Sequence, residues 1–199
     1  VTLKDDPQYK DLTYNRPLDS EIDRGNPKPI PKAKKIIIPK YYTDNFDNGL
    51  KIIGTKTDLP VVYMDIIVDG GKLNESKRGV AMMTASLLNE STKNFSTEGI
   101  SRELEIIGSS ISFYSGRTGT TISVFSLEKN IDRTLEILNE KLFNPGFNEA
   151  DFSRIKKEHI QDYKDQFKSK EAMATNIFRE KLFGDNAYGG FAAEKDIKK

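Results

Sequence analysis

The chain has 199 residues, enough for one or two domains with a sizeable apolar core. Its 31 basic and 30 acidic side chains leave a formal net charge of +1, which gives no electrostatic reason to expect a nucleic acid or an anionic membrane as a partner. The absence of cysteine rules out disulfides and thiolate metal sites, and no apolar run is long enough to span a bilayer. No signal-peptide pattern is present, but a chain that begins at Val1 says nothing about a leader or a preceding domain.

Residues 1–40 are predicted to form a proline-rich arm or interdomain linker, and residues 41–199 the folded domain. The arm holds six of the eight prolines in the chain: Pro7, Pro17, Pro27, Pro29, Pro31 and Pro39. Proline on this spacing forbids a continuous helix and favours an extended chain. The alternative is an ordered strap across a neighbouring domain, because Leu12, Tyr14, Leu18 and residues 36–38 are apolar enough to dock.

Three strands are predicted at the start of the domain. Residues 42–46 and 50–55 flank Asn48-Gly49, and Asn-Gly between two strand-like segments is a strong hairpin signal because both turn positions favour positive φ. Residues 61–68 carry apolar side chains on both faces, which predicts a central strand buried on both sides.

The rest of the domain is predicted to be mainly helical. A helix over residues 79–90, apolar nearly all round, is expected to be buried against the sheet. Strands at 111–114 and 120–127 are predicted to pair. Four further helices are expected: one capped by Ser96 or Thr97 and ended by Gly108, one at 131–142 with a stripe of Ile131, Leu135, Leu138 and Leu142, one from its cap at Asn148 to about Lys168, and one at 171–183. This order predicts an α+β fold in which a mainly antiparallel sheet has helices packed on one face.

Residues 79–92 carry the most informative pattern in the chain. They run Gly79-Val80-Ala81-Met82-Met83-Thr84-Ala85-Ser86-Leu87-Leu88-Asn89-Glu90-Ser91-Thr92. The frame resembles the helix on which inverse-zincin peptidases of the pitrilysin/insulinase family carry the zinc motif His-x-x-Glu-His. In that alignment the two histidine positions fall on Met82 and Ser86, and the glutamate position falls on Ala85. The frame is kept, whereas the metal-binding side chains are absent.

The residues at these positions are poor zinc ligands. A catalytic zinc needs several converging nitrogen, oxygen or thiolate ligands and an open position for water. Met82 offers a weak thioether, Ala85 offers no ligand atom, and Ser86 stays protonated at neutral pH. We therefore expect no catalytic residue, no metal site and no cofactor in this chain, and a polypeptide unable to act as an enzyme by itself.

The resemblance places the family's third zinc ligand on the long polar helix. The position falls on Asp162, or on Glu158 if the register slips by one helical turn. Without a histidine pair to complete the shell, either carboxylate is interpreted as a solvated helix charge. His159 lies among charged neighbours and is interpreted as a surface histidine.

The family resemblance covers about residues 46–190 in the right order and spacing. The matching segments are residues 48–52, 59–62, 70–75, 79–81, 144–149 and 182–189. The proline-rich arm resembles the connection between two halves on one polypeptide. The resemblance also implies a domain that is incomplete at its C-terminus, the first lobe of one half.

Family members pair two homologous halves around a closed chamber, often with zinc in only one half. The resemblance therefore implies a homologous catalytic half as partner, fused or separate, with the zinc located there. It also implies peptide substrates that add as a strand to a sheet edge. The edge segment falls on Ser112, Phe113 and Tyr114, the substrate-binding candidates, although Phe113 stands where active members carry a small residue. An ordinary edge strand with aromatic packing is the alternative.

Three functional hypotheses follow. The leading one is a zinc-less, non-catalytic half of a peptide-degrading metallopeptidase, which closes the substrate chamber and assists peptide binding to its catalytic partner. The second is a structural assembly subunit that binds no peptide. The third is a hydrolase with a new site at Ser86, where the sequence suggests no general base except the carboxylate of Asp162. The sequence does not fix the compartment, although a periplasmic or other extracytoplasmic location is favoured.

Overall fold

The computed structural model describes residues 38–184 and 188–189. The chain divides into two compact units, residues 1–56 and residues 57–199, and each contains its own sheet. The predicted arm at 1–40 lies outside the described residues, apart from residues 38–40. Within the described part of the chain, no helix combines the length and the apolarity needed to cross a membrane.

The first unit contains the predicted hairpin. Strand β1 (Tyr41–Asn45) pairs antiparallel with β2 (Lys51–Thr55). In the loop between them, the Gly49 N–H donates to the Phe46 carbonyl oxygen at 2.9 Å. Gly49 has a φ of 88°, whereas Asn48 does not have a positive φ. The expectation that both turn positions have positive φ is therefore wrong, because this loop is longer than a two-residue turn and one glycine supplies the reversal.

The second unit is built on a three-stranded antiparallel sheet. Its strands are β3 (Val61–Asp69), β4 (Ser110–Ser115) and β5 (Gly119–Leu127), in the order β3-β5-β4. β5 is the central strand and pairs with both neighbours over their whole length. The predicted pairing of the two later strands is confirmed.

Among the described residues β3 pairs only with β5, so the prediction of a central strand buried on both faces is wrong. Met64 and Ile66 face the core, whereas on the opposite face Tyr63 is 67% exposed and Ile67 is 73% exposed. Aromatic and β-branched side chains favour strand geometry whether or not their face is covered. The apolar pattern therefore identified the strand but not its position in the sheet.

The described part of the second unit also contains five α-helices, each close to a predicted range. They are α1 (Val80–Leu88), α2 (Thr97–Ile106), α3 (Ile131–Phe143), α4 (Glu149–Gln166) and α5 (Lys170–Phe183). The predicted caps are confirmed for two of them. The Ser96 side chain accepts from the Gly99 N–H, and the Asn148 side chain accepts from the Asp151 N–H.

Helices α1 and α3 pack on one face of the sheet. Ala85 of α1 and Leu138 of α3 form a buried cluster with Phe113, Ile122 and Val124 of the sheet. Helix α2 adds a second cluster, which consists of Ile100 and Leu104 against Ile137 of α3. The opposite face of the sheet exposes its aromatic side chains Tyr63 and Tyr114. This arrangement confirms the predicted α+β architecture.

Helix α3 buries a stripe that differs from the predicted one. Leu135 is 39% exposed, and two polar residues, Thr134 and Lys141, are buried instead. Burial of Thr134 is possible because its hydroxyl lies 2.8 Å from that of Ser109 and 2.9 Å from that of Ser126. The predicted stripe is wrong in this respect, because apolar periodicity does not reveal polar side chains that find partners in the core.

Candidate functional site

The entry to α1 is fixed by backbone contacts of the loop before it. The Lys72 and Leu73 N–H groups donate to the carbonyl oxygens of Gly116 and Arg117, at 3.1 and 2.9 Å. A Cβ at the buried Gly71 would lie 2.5 Å from the Arg117 carbonyl oxygen, so only glycine fits without a shift of backbone. The loop therefore lies directly on the β4–β5 turn.

Glu75 caps the N-terminus of α1. One carboxylate oxygen accepts from the Gly79 N–H and the other accepts from the Ala81 N–H, each at 3.0 Å. The carboxylate satisfies two N–H groups that have no partner within the helix, and its negative charge is favourable at this end of the helix dipole. The residue at the N-cap, Gly79, has a φ of 91° and contributes no side-chain cap.

The three motif positions of α1 have different environments. Ala85 is 4% exposed and belongs to the core cluster. Met82 and Ser86 are half-buried on the same helix. Nothing at these positions offers the converging ligands that a zinc ion requires, so the residues present do not fit this metal. Among the described residues, no group of three or more histidine, aspartate or glutamate side chains is close enough together to hold a metal ion.

Ser86 is hydrogen-bonded to His159 of α4. The serine Oγ and the histidine Nε2 lie 2.9 Å apart and the pair is partly buried. The interpretation of His159 as a surface histidine is therefore wrong. The sequence offers one signal, because the apolar Ile155 lies one helical turn before His159 and both therefore share a face of α4; the structure buries Ile155.

The same pair corrects the expectation that Ser86 has no base beside it except Asp162. Asp162 is exposed, and Glu158 is exposed and bonded to Arg154 at 2.9 Å. A serine paired with a histidine is the core of many nucleophilic sites. Acyl transfer also needs free donors for the developing oxyanion, whereas the backbone N–H groups around Ser86 are committed to the helix. In the structure the pair joins α1 to α4.

The C-terminus of α1 is capped by a buried lysine. The Lys141 Nζ donates to the carbonyl oxygens of Leu88, Asn89 and Glu90 at 3.3, 3.0 and 3.0 Å. An ammonium is favourable at this negative end of the helix dipole. Burial nevertheless lowers the pKa of Lys141 to about 8, against a smaller opposing effect of the Glu90 carboxylate.

Asn89, the residue that ends α1, binds the backbone of β4. Its side-chain oxygen accepts from the Phe113 N–H at 2.9 Å, and its side-chain nitrogen donates to the Phe113 carbonyl oxygen at 2.9 Å. The same nitrogen donates to the Ala85 carbonyl oxygen at 3.0 Å. The amide therefore connects the end of the motif helix to the middle of a sheet edge.

The substrate-binding candidates lie on β4, which is an edge strand of the described sheet. Ser112 and Tyr114 are exposed on the face away from the helices, whereas the Phe113 side chain is 5% exposed in the core. The backbone of Phe113 is already bonded by Asn89. The edge position was foreseen, but the roles of Glu75, Asn89, Lys141 and His159 were not. The partners of Asn89, Lys141 and His159 are distant in the sequence, and Glu75 caps α1 from the preceding loop rather than from the N-cap position.

This combination of sheet, helices and motif helix is that of a metallopeptidase-like domain. The chain superposes on a solved structure described as the peptidase M16 inactive domain from Pseudomonas fluorescens, with a TM-score of 0.73 and 21% sequence identity. The match covers 79% of this chain and 40% of that one. The chain belongs to the insulinase family, peptidase family M16, whose model matches residues 52–190. The family resemblance and the fold class predicted from the sequence are both confirmed.

The chain is also similar in sequence to two curated proteins with mitochondrial names. It is 21% identical over 148 residues to cytochrome b-c1 complex subunit 1 of Bos taurus, a match that covers 73% of this chain and 31% of the relative. It is 27% identical over 145 residues to mitochondrial-processing peptidase subunit alpha-1 of Dictyostelium discoideum, which covers 71% of this chain and 22% of the relative. The chain therefore spans less than a third of either relative.

Proposed function

We propose that this chain is part of a non-catalytic half of a zinc metallopeptidase assembly. In this role it closes the substrate chamber beside a homologous catalytic half, fused or separate, and assists peptide binding there. The zinc belongs to the catalytic half, and this chain holds none. The peptide is cleaved by the partner, so the chain by itself is not an enzyme.

The observation that carries this proposal is the state of the three motif positions on α1. Ala85 is part of the core, and the Ser86 hydroxyl is bonded to His159. Met82 completes the set with a thioether, which is a weak ligand for zinc. The helix packs against the sheet, and two of the positions on which the resemblance places zinc-site residues serve packing and helix-to-helix bonding.

The relatives support a paired arrangement. One is named as a subunit of mitochondrial-processing peptidase and another as a subunit of the cytochrome b-c1 complex. The structural neighbour from Pseudomonas fluorescens is described as an inactive domain. Because this chain covers less than half of each of these proteins, the assembly, its substrates and its partner are proposed here by analogy.

The first test is the metal content of the purified protein. We expect no stoichiometric zinc in the chain after dialysis against buffer containing zinc, measured by elemental analysis. The matched control is a variant in which Ser86→Ala removes the hydroxyl, which should give the same result. One tightly bound zinc per chain would contradict the proposal.

The second test concerns the partner. The full-length protein that contains this chain is purified under gentle conditions, and its stable companions, or the rest of its own polypeptide, are searched for an intact His-x-x-Glu-His helix. We expect peptide hydrolysis only when such a half is present, with activity lost on chelation. Peptide hydrolysis by this chain alone, surviving a chelator, would instead favour a new hydrolase site at Ser86 and His159.

A structural assembly subunit that binds no peptide is the alternative, and one observation favours it. Asn89 already occupies the backbone groups of Phe113 that an added peptide strand would use. Peptide binding measured with and without the catalytic half separates the two hypotheses. An assembly role predicts that peptide affinity of the catalytic half is the same in both cases.

A further inference from the structure

Among the described residues, no strand pairs with the outer edge of β4. In an antiparallel strand, alternate residues direct both the N–H and the C=O toward the same side. Phe113 directs both groups away from β5, since both are bonded by the Asn89 side chain. Unpaired groups on an edge strand are a ready template for an added chain. Phe113 therefore marks the point where strand addition to β4 would be centred.

The Asn89 amide reproduces the two bonds that a neighbouring strand would make. An added antiparallel strand would offer one carbonyl acceptor and one N–H donor to Phe113. Asn89 offers one amide oxygen and one amide N–H, each at 2.9 Å. The second amide hydrogen is bonded to the Ala85 carbonyl oxygen at 3.0 Å. A flipped amide would set its oxygen against two carbonyl oxygens, so the orientation is fixed by the network.

The backbone of Asn89 is also held in place by a hydrogen bond. The Asn89 carbonyl oxygen accepts from the buried Lys141 ammonium at 3.0 Å. The Phe113 side chain is 5% exposed and packs in the same cluster as Ala85. Both ends of the contact are therefore anchored in the core. The contact differs in this from an exposed asparagine that exchanges freely with water.

We propose that Asn89 is an edge lock: its side-chain amide occupies the Phe113 backbone and prevents an extended peptide from adding to β4 at that point. Removing the amide frees one donor and one acceptor on the exposed edge, and the strand then accepts an extended peptide of another chain. This inference goes beyond the proposed function, because it rests on hydrogen bonds within this chain and on no property of a catalytic partner. The proposal is that the Asn89 side chain alone blocks strand addition at Phe113.

The test compares Asn89→Ala with the unchanged protein for binding of a short fluorescein-labelled peptide of alternating threonine and valine with terminal lysines. We expect binding to tighten at least about tenfold in N89A, corresponding to about 1.4 kcal/mol. Asn89→Asp should also open the edge, because it removes both donors and faces two carbonyl oxygens with a charge. The control is Asn94→Ala, which removes an exposed amide bonded to Glu140 at 2.8 Å. Equal peptide affinity in a folded N89A and in the unchanged protein would overturn the lock.

A measurement on the unchanged protein keeps the proposal testable if the variants do not fold. Amide hydrogen exchange should show the Phe113 N–H protected in spite of its position on a sheet edge. Exchange at the rate of an unprotected amide would contradict the lock. Neither outcome bears on metal content or on the presence of a catalytic half, so the lock and the proposed function can fail separately.

Discussion

The Ser86 hydroxyl and the His159 imidazole join α1 to α4 by a hydrogen bond of 2.9 Å. Ser86 is one of the two positions on which the family resemblance places a histidine ligand. The two helices are thereby joined by a hydrogen bond between two side chains. Removing either side chain leaves the other without its hydrogen-bond partner. Because both groups are partly buried, this loss should lower the free energy of unfolding.

Removing the Ser86 hydroxyl should destabilise the protein modestly. Ser86→Ala and His159→Ala are each expected to lower the free energy of unfolding by about 1 kcal/mol, the net value of a typical buried hydrogen bond. In a double-mutant cycle the two losses should not add, which would identify the pair as one interaction. Urea denaturation gives the free energy of unfolding of the two single variants and the double variant. Ser153→Ala, which removes an exposed hydroxyl bonded to Glu149 at 3.3 Å, is the control.

Loss of the Glu75 carboxylate should weaken the start of α1. Glu75→Ala removes two acceptors at the helix N-terminus and is expected to lower the free energy of unfolding by about 1 kcal/mol. Glu105→Ala, at an exposed position of α2, should change it by less than about 0.5 kcal/mol. Thermal unfolding of the two variants provides the comparison. Equal effects would mean that Glu75 does not cap the helix.

Gly71→Ala should be strongly disruptive. Its new Cβ would lie 2.5 Å from the Arg117 carbonyl oxygen and 2.7 Å from the Gly119 nitrogen, and backbone must move to admit it. We expect a loss of about 1–3 kcal/mol, as for other overpacked interiors. The matched control is Gly54→Ala, because a Cβ there meets nothing within 4 Å. A Gly71 variant as stable as the Gly54 variant would contradict the close approach of loop and turn.

Stability should rise with pH across the titration of Lys141. Burial lowers the pKa of this lysine to about 8 in the folded protein, against 10.5 for the free group. Between these values the unfolded chain binds more protons than the folded one, so raising the pH favours folding, by up to about 1.4 kcal/mol per pH unit. Lys141→Met removes this titration.

The measurement for Lys141 is the difference in unfolding free energy between the unchanged protein and K141M at several pH values. The difference should shift in favour of the unchanged protein from pH 8 upward and level off above the pKa of the free group. Taking the difference removes the contributions to the pH dependence that the two proteins share. A difference that is flat with pH would show that Lys141 keeps its ordinary pKa.

The elements of the second unit could be predicted from the sequence because their signals are local. Ser96 and Asn148 cap helices through side chains that bond N–H groups three residues away, and such spacing is visible in the chain. Gly108 likewise ends α2 with a positive φ of 63°. Short-range rules of this kind do not depend on tertiary packing.

The rest could not be predicted because it depends on partners that the sequence does not bring together. Lys141 is buried by carbonyl oxygens more than fifty residues earlier in the chain. Leu135 is exposed although it fits the apolar period of α3, since the helix turns Thr134 toward the sheet. The family resemblance singled out Met82, Ala85 and Ser86, but only the fold shows that His159 contacts Ser86.

The hydroxyl groups of Ser109, Ser126 and Thr134 help to fix the register of β5 during folding. Ser109 donates to the Ser126 hydroxyl at 3.0 Å, and the Thr134 hydroxyl lies 2.8 Å from that of Ser109 and 2.9 Å from that of Ser126, so the three side chains form one hydroxyl cluster. Sliding β5 by one residue would turn Ser126 to the other face of the sheet and remove one hydroxyl partner from the buried Thr134. The three hydroxyl groups therefore favour one register of β5 relative to α3, and a folding intermediate with a shifted strand is destabilised by the lost hydrogen bonds.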